Sequence, residues 1–265
     1  MKTINETQIS KIIKTIYDKN PEKFVLVQIG ANDGWMCDRM NTFVLENDPK
    51  AILVEPIPCY FDVLRTNYKN NKNITFVNKA IDSKKGQREM FYIEEQRFQN
   101  EEVRFRMENT PHLFKEHWAR GLGSFYNDKN NLACPELKSF SSSIIVETLT
   151  FEELLEQNNI TPDMNIVVQT DCEGHDFELL KTFNFEKFSP VMYISEIYHL
   201  VRYPLSHPKY RPHPTRGYIE YRQPGGMYTE KEELAAISIF EENGYILFRS
   251  NDMIAIKNSL GKFLK

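Results

Sequence analysis

Short aliphatic runs alternate with amphipathic stretches along this chain of 265 residues. Ile9, Ile12, Ile13, Ile16 and Tyr17 recur at helical spacing, which predicts an amphipathic helix over residues 5–19, stopped before Asn20-Pro21. Phe24 to Ile29 reads as a buried strand that breaks into the turn Gly30-Ala31-Asn32-Asp33-Gly34. Further strands are predicted at 51–55, 74–78, 88–93, 144–149, 165–171 and 191–196, and helices at 36–47, 58–68, 151–158 and 174–183. Thr229 with Glu232 makes a capping box for a helix over 230–242, ended by Gly244. Tyr245 to Arg249 and Met253 to Lys257 then read as a closing hairpin across Ser250-Asn251-Asp252.

Two stretches break this rhythm. Residues 95–143 are polar and mixed, with one helix expected near 111–119, and residues 197–228 are rich in Pro and Gly. Both read as insertions on the substrate side of one domain covering 1–265. Strands alternating with helices imply an α/β fold, a mostly parallel sheet with helices on both faces, closed by an antiparallel hairpin.

Composition narrows the function. With 41% hydrophobic and 26% charged residues the chain is globular, and a net charge of -4 argues against a general nucleic-acid binder. Cys37, Cys59, Cys134 and Cys172 are scattered without a Cys-x-x-Cys pair, as reduced thiols of a cytoplasmic protein would be. No signal peptide and no apolar run of membrane-spanning length is seen.

The turn after the first long strand carries the first chemical signal. Glu55 ends the next aliphatic run, at the sheet edge where open α/β folds bind ligands, and carboxylates there hold ribose hydroxyls. A dinucleotide fingerprint counted from Gly30 needs glycine where Asn32 and Trp35 stand, and no Walker lysine motif occurs. A cofactor without phosphates fits better, and S-adenosylmethionine is one; a turn without function is the alternative. The second signal is Asp171-Cys172-Glu173-Gly174-His175-Asp176. Asp171 ends a buried strand at the same edge. Glu173 and Asp176 read equally as first-turn helix acids, and His175 as a surface residue.

Together these segments resemble the FkbM-type S-adenosylmethionine-dependent methyltransferases. The likeness is carried by Ile29 to Gly34, Val54-Glu55-Pro56, Asn67 to Asn73, Glu147 to Leu155, Asp171 to Asp176 and Glu196, over residues 24–82 and 144–199. It implies a class I, Rossmann-like fold with a seven-stranded sheet, and methyl transfer to a hydroxyl of a sugar or natural product. Cofactor contacts would come from Gly30, Ala31, Asn32, Asp33, Glu55, Pro56, Ala80 and Asp171. Gln28 departs from the family, which places there an acid facing the methionine ammonium; Asp33 or a bridging water would have to substitute.

A hydroxyl acceptor must lose a proton, and a near-neutral histidine suits that task. His199 and His175 are the candidate bases, with Asp171 and Glu173 to orient the base or bind the hydroxyl. In the second insertion Arg202, Arg211 and Arg216 lie among tyrosines such as Tyr203. Arginine forks bind carboxylate or phosphate, so these residues and Glu196 are candidates for holding an anionic acceptor. A solvated loop or a homodimer contact is the alternative for that segment. Glu196 and His199, with Asp171, Glu173 and His175, are of metal-compatible type, but no spacing matches a recognised ligand pattern, so no metal is assigned. The expectation is an O-methyltransferase acting on an anionic saccharide or sugar phosphate, as in capsule or surface-glycan biosynthesis. The alternatives are a binding protein of the same fold and a nicotinamide-dependent oxidoreductase.

Overall fold

The computed structural model describes residues 1–35, 38–93, 123–127, 141–197, 228–250 and 252–263. The chain starts with a short strand β1 (Lys2–Thr3) and helix α1 (Glu6–Lys19), which opens on a capping box between Asn5 and Gln8. Its buried Ile9, Ile12, Ile13 and Ile16 are the stripe read from the sequence. Next come β2 (Phe24–Ile29), α2 (Asn41–Asn47), β3 (Ala51–Val54), α3 (Pro58–Asn67) and β4 (Ile74–Val77). After β5 (Ala80–Ile81), β6 (Gly86–Ile93) and β7 (Ser141–Leu149) the pattern resumes with α4 (Phe151–Gln157), β8 (Asn165–Thr170), α5 (Asp176–Thr182) and β9 (Met192–Ser195). Helix α6 (Glu230–Glu242) and strands β10 (Tyr245–Arg249) and β11 (Met253–Lys257) follow.

The main sheet has the order β1-β10-β11-β9-β8-β2-β3-β4. It is mixed and eight-stranded, which corrects the expected seven strands. The eighth is β1, two residues paired parallel to β10 and too short to leave a periodic signal. Strand β11 runs antiparallel to both neighbours, because the short loop from β10 leaves no room for a crossover. Period-two alternation sorts the buried strands onto two faces. Val25, Val27 and Ile29 pack with α4, α5 and α6, whereas Phe24 and Leu26 pack with α1, α2 and α3.

Strands β5, β6 and β7 leave the main sheet and form their own, in the order β5-β7-β6. The segment Gly123–Asn127 from the first insertion lies against it, through a bridge between Ser124 and Phe91. Apart from residues 141–143, which begin β7, the rest of that insertion, including the helix expected near 111–119, lies outside the described residues, as does most of 197–228.

Two boundaries move for local reasons. The helix expected from residue 36 starts at Asn41, because the Asp38 carboxylate accepts from Met40 N (2.8 Å) and holds residues 38–40 in a turn. The helix expected from residue 174 starts at Asp176, because Glu173 (φ 46°) and Gly174 (φ 97°) are left-handed.

Candidate functional site

Parallel pairing sets four residues in a row. Ile29 pairs with Val54 and with Thr170, and Thr170 with Ser195. The next residue of each strand is therefore Glu55, Gly30, Asp171 or Glu196, side by side at the C-terminal edge of β3, β2, β8 and β9. That edge is where open α/β sheets bind ligands.

Gly30 turns the chain over this edge at φ 79°. Its N–H and that of Ala31 both donate to Val54 O. A methyl group on Gly30 would stand 1.9 Å from Asp171 O, so only glycine lets the two loops meet. The loop is braced from below. Tyr68 Oη (2.8 Å) and Asn41 Nδ2 (2.6 Å) donate to Gly34 O, and Asn67 Nδ2 donates to Asp33 O (2.8 Å). The Asp33 carboxylate accepts from Trp35 N (2.9 Å), so it shapes the turn.

Glu55 is buried. Its two oxygens accept from Asn32 N (2.9 Å) and Ile57 N (2.8 Å), while Asn78 Nδ2 donates to Glu55 O and Pro56 O. Burial pushes its carboxyl up to about 7, against the pull of those two N–H groups. A carboxyl raised on folding binds more protons folded than unfolded, so stability is lost as pH rises from its ordinary 4.5 toward 7. Between about pH 5 and pH 8, wild type is expected to lose about 3 kcal/mol more stability than Glu55→Gln, read by urea unfolding. Equal slopes for the two proteins would remove Glu55 as the source.

Unsatisfied acceptors lie beside this loop. Among the described residues Asn32 Oδ1, Gln28 Oε1 and Gln169 Oε1 are buried without a partner. Gln28 and Gln169 are cross-strand neighbours, and the Gln28 side chain also bonds the half-buried Asp38 carboxylate. Burial raises Asp38 above the ordinary carboxylate range. So many buried acceptors in one place call for a ligand rich in N–H and O–H donors.

On the other side of Gly30 the acidic loop begins. Asp171, Glu173 and Glu196 bring carboxylate oxygens within 4.8 Å of one another. Asp171 is exposed, with Glu196 half-buried and hydrogen-bonded to it. Crowding by protein, then the charges of Asp176 and Asp252, raise Asp171. Because its side chain reaches solvent, repulsion counts for more there than desolvation. Burial, then the charges of Asp171, Glu173 and Asp176, raise Glu196. A hydrogen bond between two carboxyl groups requires one shared proton. Oxygens so grouped also suit a hard divalent cation, and all three belong to the residues whose types allowed one in the sequence.

Asp176 fixes this loop. It is fully buried and accepts from Cys172 N at 3.2 and 3.3 Å. Tyr228 Oη donates to its carboxylate (2.7 Å) and accepts from its backbone N–H (2.9 Å). Tyr228 thus pins the end of the second insertion to the acidic loop. Tyr228→Phe leaves a buried carboxylate and an N–H short of a partner, and is expected to cost about 2 kcal/mol in denaturant unfolding. A change under 0.5 kcal/mol would show that this pin is dispensable.

His175 is buried, not on the surface. Its Nε2 lies 3.1 Å from Asp82 Oδ1 and its Nδ1 3.3 Å from Tyr126 Oη. Both ring nitrogens are engaged. Burial pushes the imidazole down, against the pull of Asp82, so it is neutral at pH 7. Asp82 also pairs with Arg88 Nη1 (2.9 Å), whose guanidinium stacks 4.0 Å over the Phe125 ring. Against partial desolvation, the Ser83 N–H, Arg88 and His175 hold Asp82 below the ordinary range.

The structure therefore gathers Gly30, Ala31, Asn32, Asp33, Glu55, Pro56, Asp171, Glu173 and Glu196 along one edge. Ala80 sits buried in β5, packed with Ile57, Tyr60, Met90 and Val146. His199, Arg202, Tyr203, Arg211 and Arg216 lie outside the described residues. Asp82 and Tyr126 were missed; neither stands in a motif, and only folding brings them to His175. No disulfide joins the described cysteines, Cys59 and Cys172. No helix among the described residues is long and apolar enough to cross a membrane.

A mixed α/β domain with a glycine turn and strand-end acids at one sheet edge is the frame of a methyl-transferring enzyme. The methyltransferase FkbM domain matches residues 28–247, and the chain belongs to that methyltransferase family. No curated protein and no solved structure is found to match it.

Proposed function

We propose that this methyltransferase takes its methyl group from S-adenosylmethionine and passes it to a hydroxyl of an anionic saccharide or sugar phosphate. One observation carries the cofactor. Gly30, Glu55 and Asp171 stand in one row beside the buried, unpartnered oxygens of Asn32, Gln28 and Gln169. Those acceptors fit the ribose hydroxyls, adenine amine and ammonium of S-adenosylmethionine, which together supply donors and no phosphate. Each Glu55 oxygen keeps a lone pair for a ribose hydroxyl beyond the backbone N–H it already accepts. When bound, the cofactor supplies an activated methyl group.

The protein's remaining tasks are alignment and proton removal. Asp171 and Glu196, sharing one proton, offer one donor and one acceptor to an incoming hydroxyl. The basic residues Arg202, Arg211 and Arg216, with Tyr203 and His199, support an anionic acceptor through their chemistry in the sequence. On this reading residues 1–265 act as one domain, with both insertions on the acceptor side.

Calorimetric titration with S-adenosylmethionine, S-adenosylhomocysteine and NADH tests the cofactor. Micromolar binding of both sulfur compounds and none of NADH is expected. Absence of binding to either sulfur compound would leave a binding protein on a reused fold. Binding of NADH instead would favour an oxidoreductase.

A further inference from the structure

Beside the acidic loop lies a chain of three side chains outside the cofactor contacts proposed above. Tyr126, half-buried in the segment Gly123–Asn127, places its hydroxyl 3.3 Å from His175 Nδ1. His175 Nε2 stands 3.1 Å from Asp82 Oδ1, which pairs onward with Arg88. Because Asp82 is an ionised acceptor, the imidazole proton belongs on Nε2 and Nδ1 is left as an acceptor. The tyrosine hydroxyl is then the donor to Nδ1. A nucleophile or acid, a histidine and an orienting carboxylate in series form the arrangement by which proteins activate a hydroxyl.

The outer end of the series is held at the site. Ser124 Oγ donates to Glu173 O (2.8 Å), and Tyr126 N donates to Ser124 Oγ (3.1 Å). Phe125 packs edge-on to the His175 ring at 4.9 Å. Tyr126 is thereby fixed against the loop that carries Asp171 and Glu173. Arg88 and Asp176 are the other charges that act on His175, in opposite senses.

We propose that Tyr126 is the proton-transfer residue of this site, backed by His175 and Asp82. The inference rests on the O-methylation reading for its substrate. As the acceptor oxygen bonds the methyl carbon, its O–H bond breaks and that proton goes to Tyr126 Oη. The tyrosine's own proton passes to His175 Nδ1, and the electron pair of the broken sulfur–carbon bond stays on sulfur. Asp82 balances the imidazolium that results.

The relay can be tested without an acceptor by phenylmethanesulfonyl fluoride. Tyrosine oxygen attacks the sulfur, fluoride leaves, and the phenolic proton needs a base. Peptide mass mapping of the full chain is expected to show Tyr126 labelled at least about tenfold faster than other tyrosines, a gain of general-base size. His175→Ala is expected to lose that advantage and to regain it when free imidazole is added; packing alone gives no such rescue. His175→Gln, which preserves more of the packing, serves if the alanine variant does not fold, and is expected to be slow as well. Ordinary labelling of Tyr126, or no rescue in a folded His175→Ala, overturns the relay. Calorimetry with S-adenosylmethionine, run on wild type and Tyr126→Phe, separates the two ideas. Failure of wild type to bind removes the methylation reading, whereas normal binding with unselective labelling removes only the relay.

Discussion

Gly30→Ala is expected to destabilise the protein by about 3 kcal/mol and to abolish cofactor binding. Two costs add. Gly30 sits at φ 79°, a region an alanine enters only under strain. Its new methyl group would also stand 1.9 Å from the Asp171 carbonyl oxygen, which is backbone and cannot rotate away. Relief requires the two loops to separate. Separation breaks the donation from Asp171 N to Ile29 O, at 3.0 Å, and pulls Gly30 from Asp171 in the row of strand ends. Urea unfolding reads the first effect and calorimetry with S-adenosylmethionine the second. A variant within 0.5 kcal/mol of wild type, with normal binding, would show that the loops do not need their close approach.

The second large effect is expected at Glu55. Glu55→Ala should weaken S-adenosylmethionine and S-adenosylhomocysteine about 100-fold or more, equivalent to about 2.7 kcal/mol. The carboxylate does two jobs at once. It accepts the N–H groups of Asn32 and Ile57, which shapes the turn, and on the proposed reading it accepts ribose hydroxyls. Glu55→Gln is expected to disturb both, since an amide oxygen can satisfy one N–H while its NH2 meets the other as a clash of donors. Equal affinity in wild type and Glu55→Ala would place the ribose elsewhere. Because burial raises the Glu55 carboxyl to about 7, cofactor affinity should rise between pH 6 and pH 8, as the acceptor form fills.

Much of this site was legible before folding. Gly30, Glu55 and Asp171 each end an aliphatic run, and such runs mark buried parallel strands whose ends share one edge. The order of those runs also gave helices on both faces and the closing hairpin. The errors had local causes. Turn geometry at Asp38 and left-handed backbone at Glu173 and Gly174 delayed two helices, and neither leaves a trace in apolar spacing. His175 was read as either a base or a surface residue. It is not on the surface but buried, between two partners distant in sequence. Asp82 is 93 positions away and Tyr126 is 49.

By itself the sequence determined the α/β alternation, the glycine turn, the strand-end acids and the family. These are local or periodic properties, set by how often apolar residues recur and where glycine interrupts them. Only the tertiary structure decided that Asp171, Glu173 and Glu196 crowd together and that Tyr126, His175 and Asp82 align. It alone showed that β5, β6 and β7 leave the main sheet. Those are matters of which strand lies beside which and how far each runs. Pairing of that kind depends on burial summed over the whole chain, which no window of sequence contains.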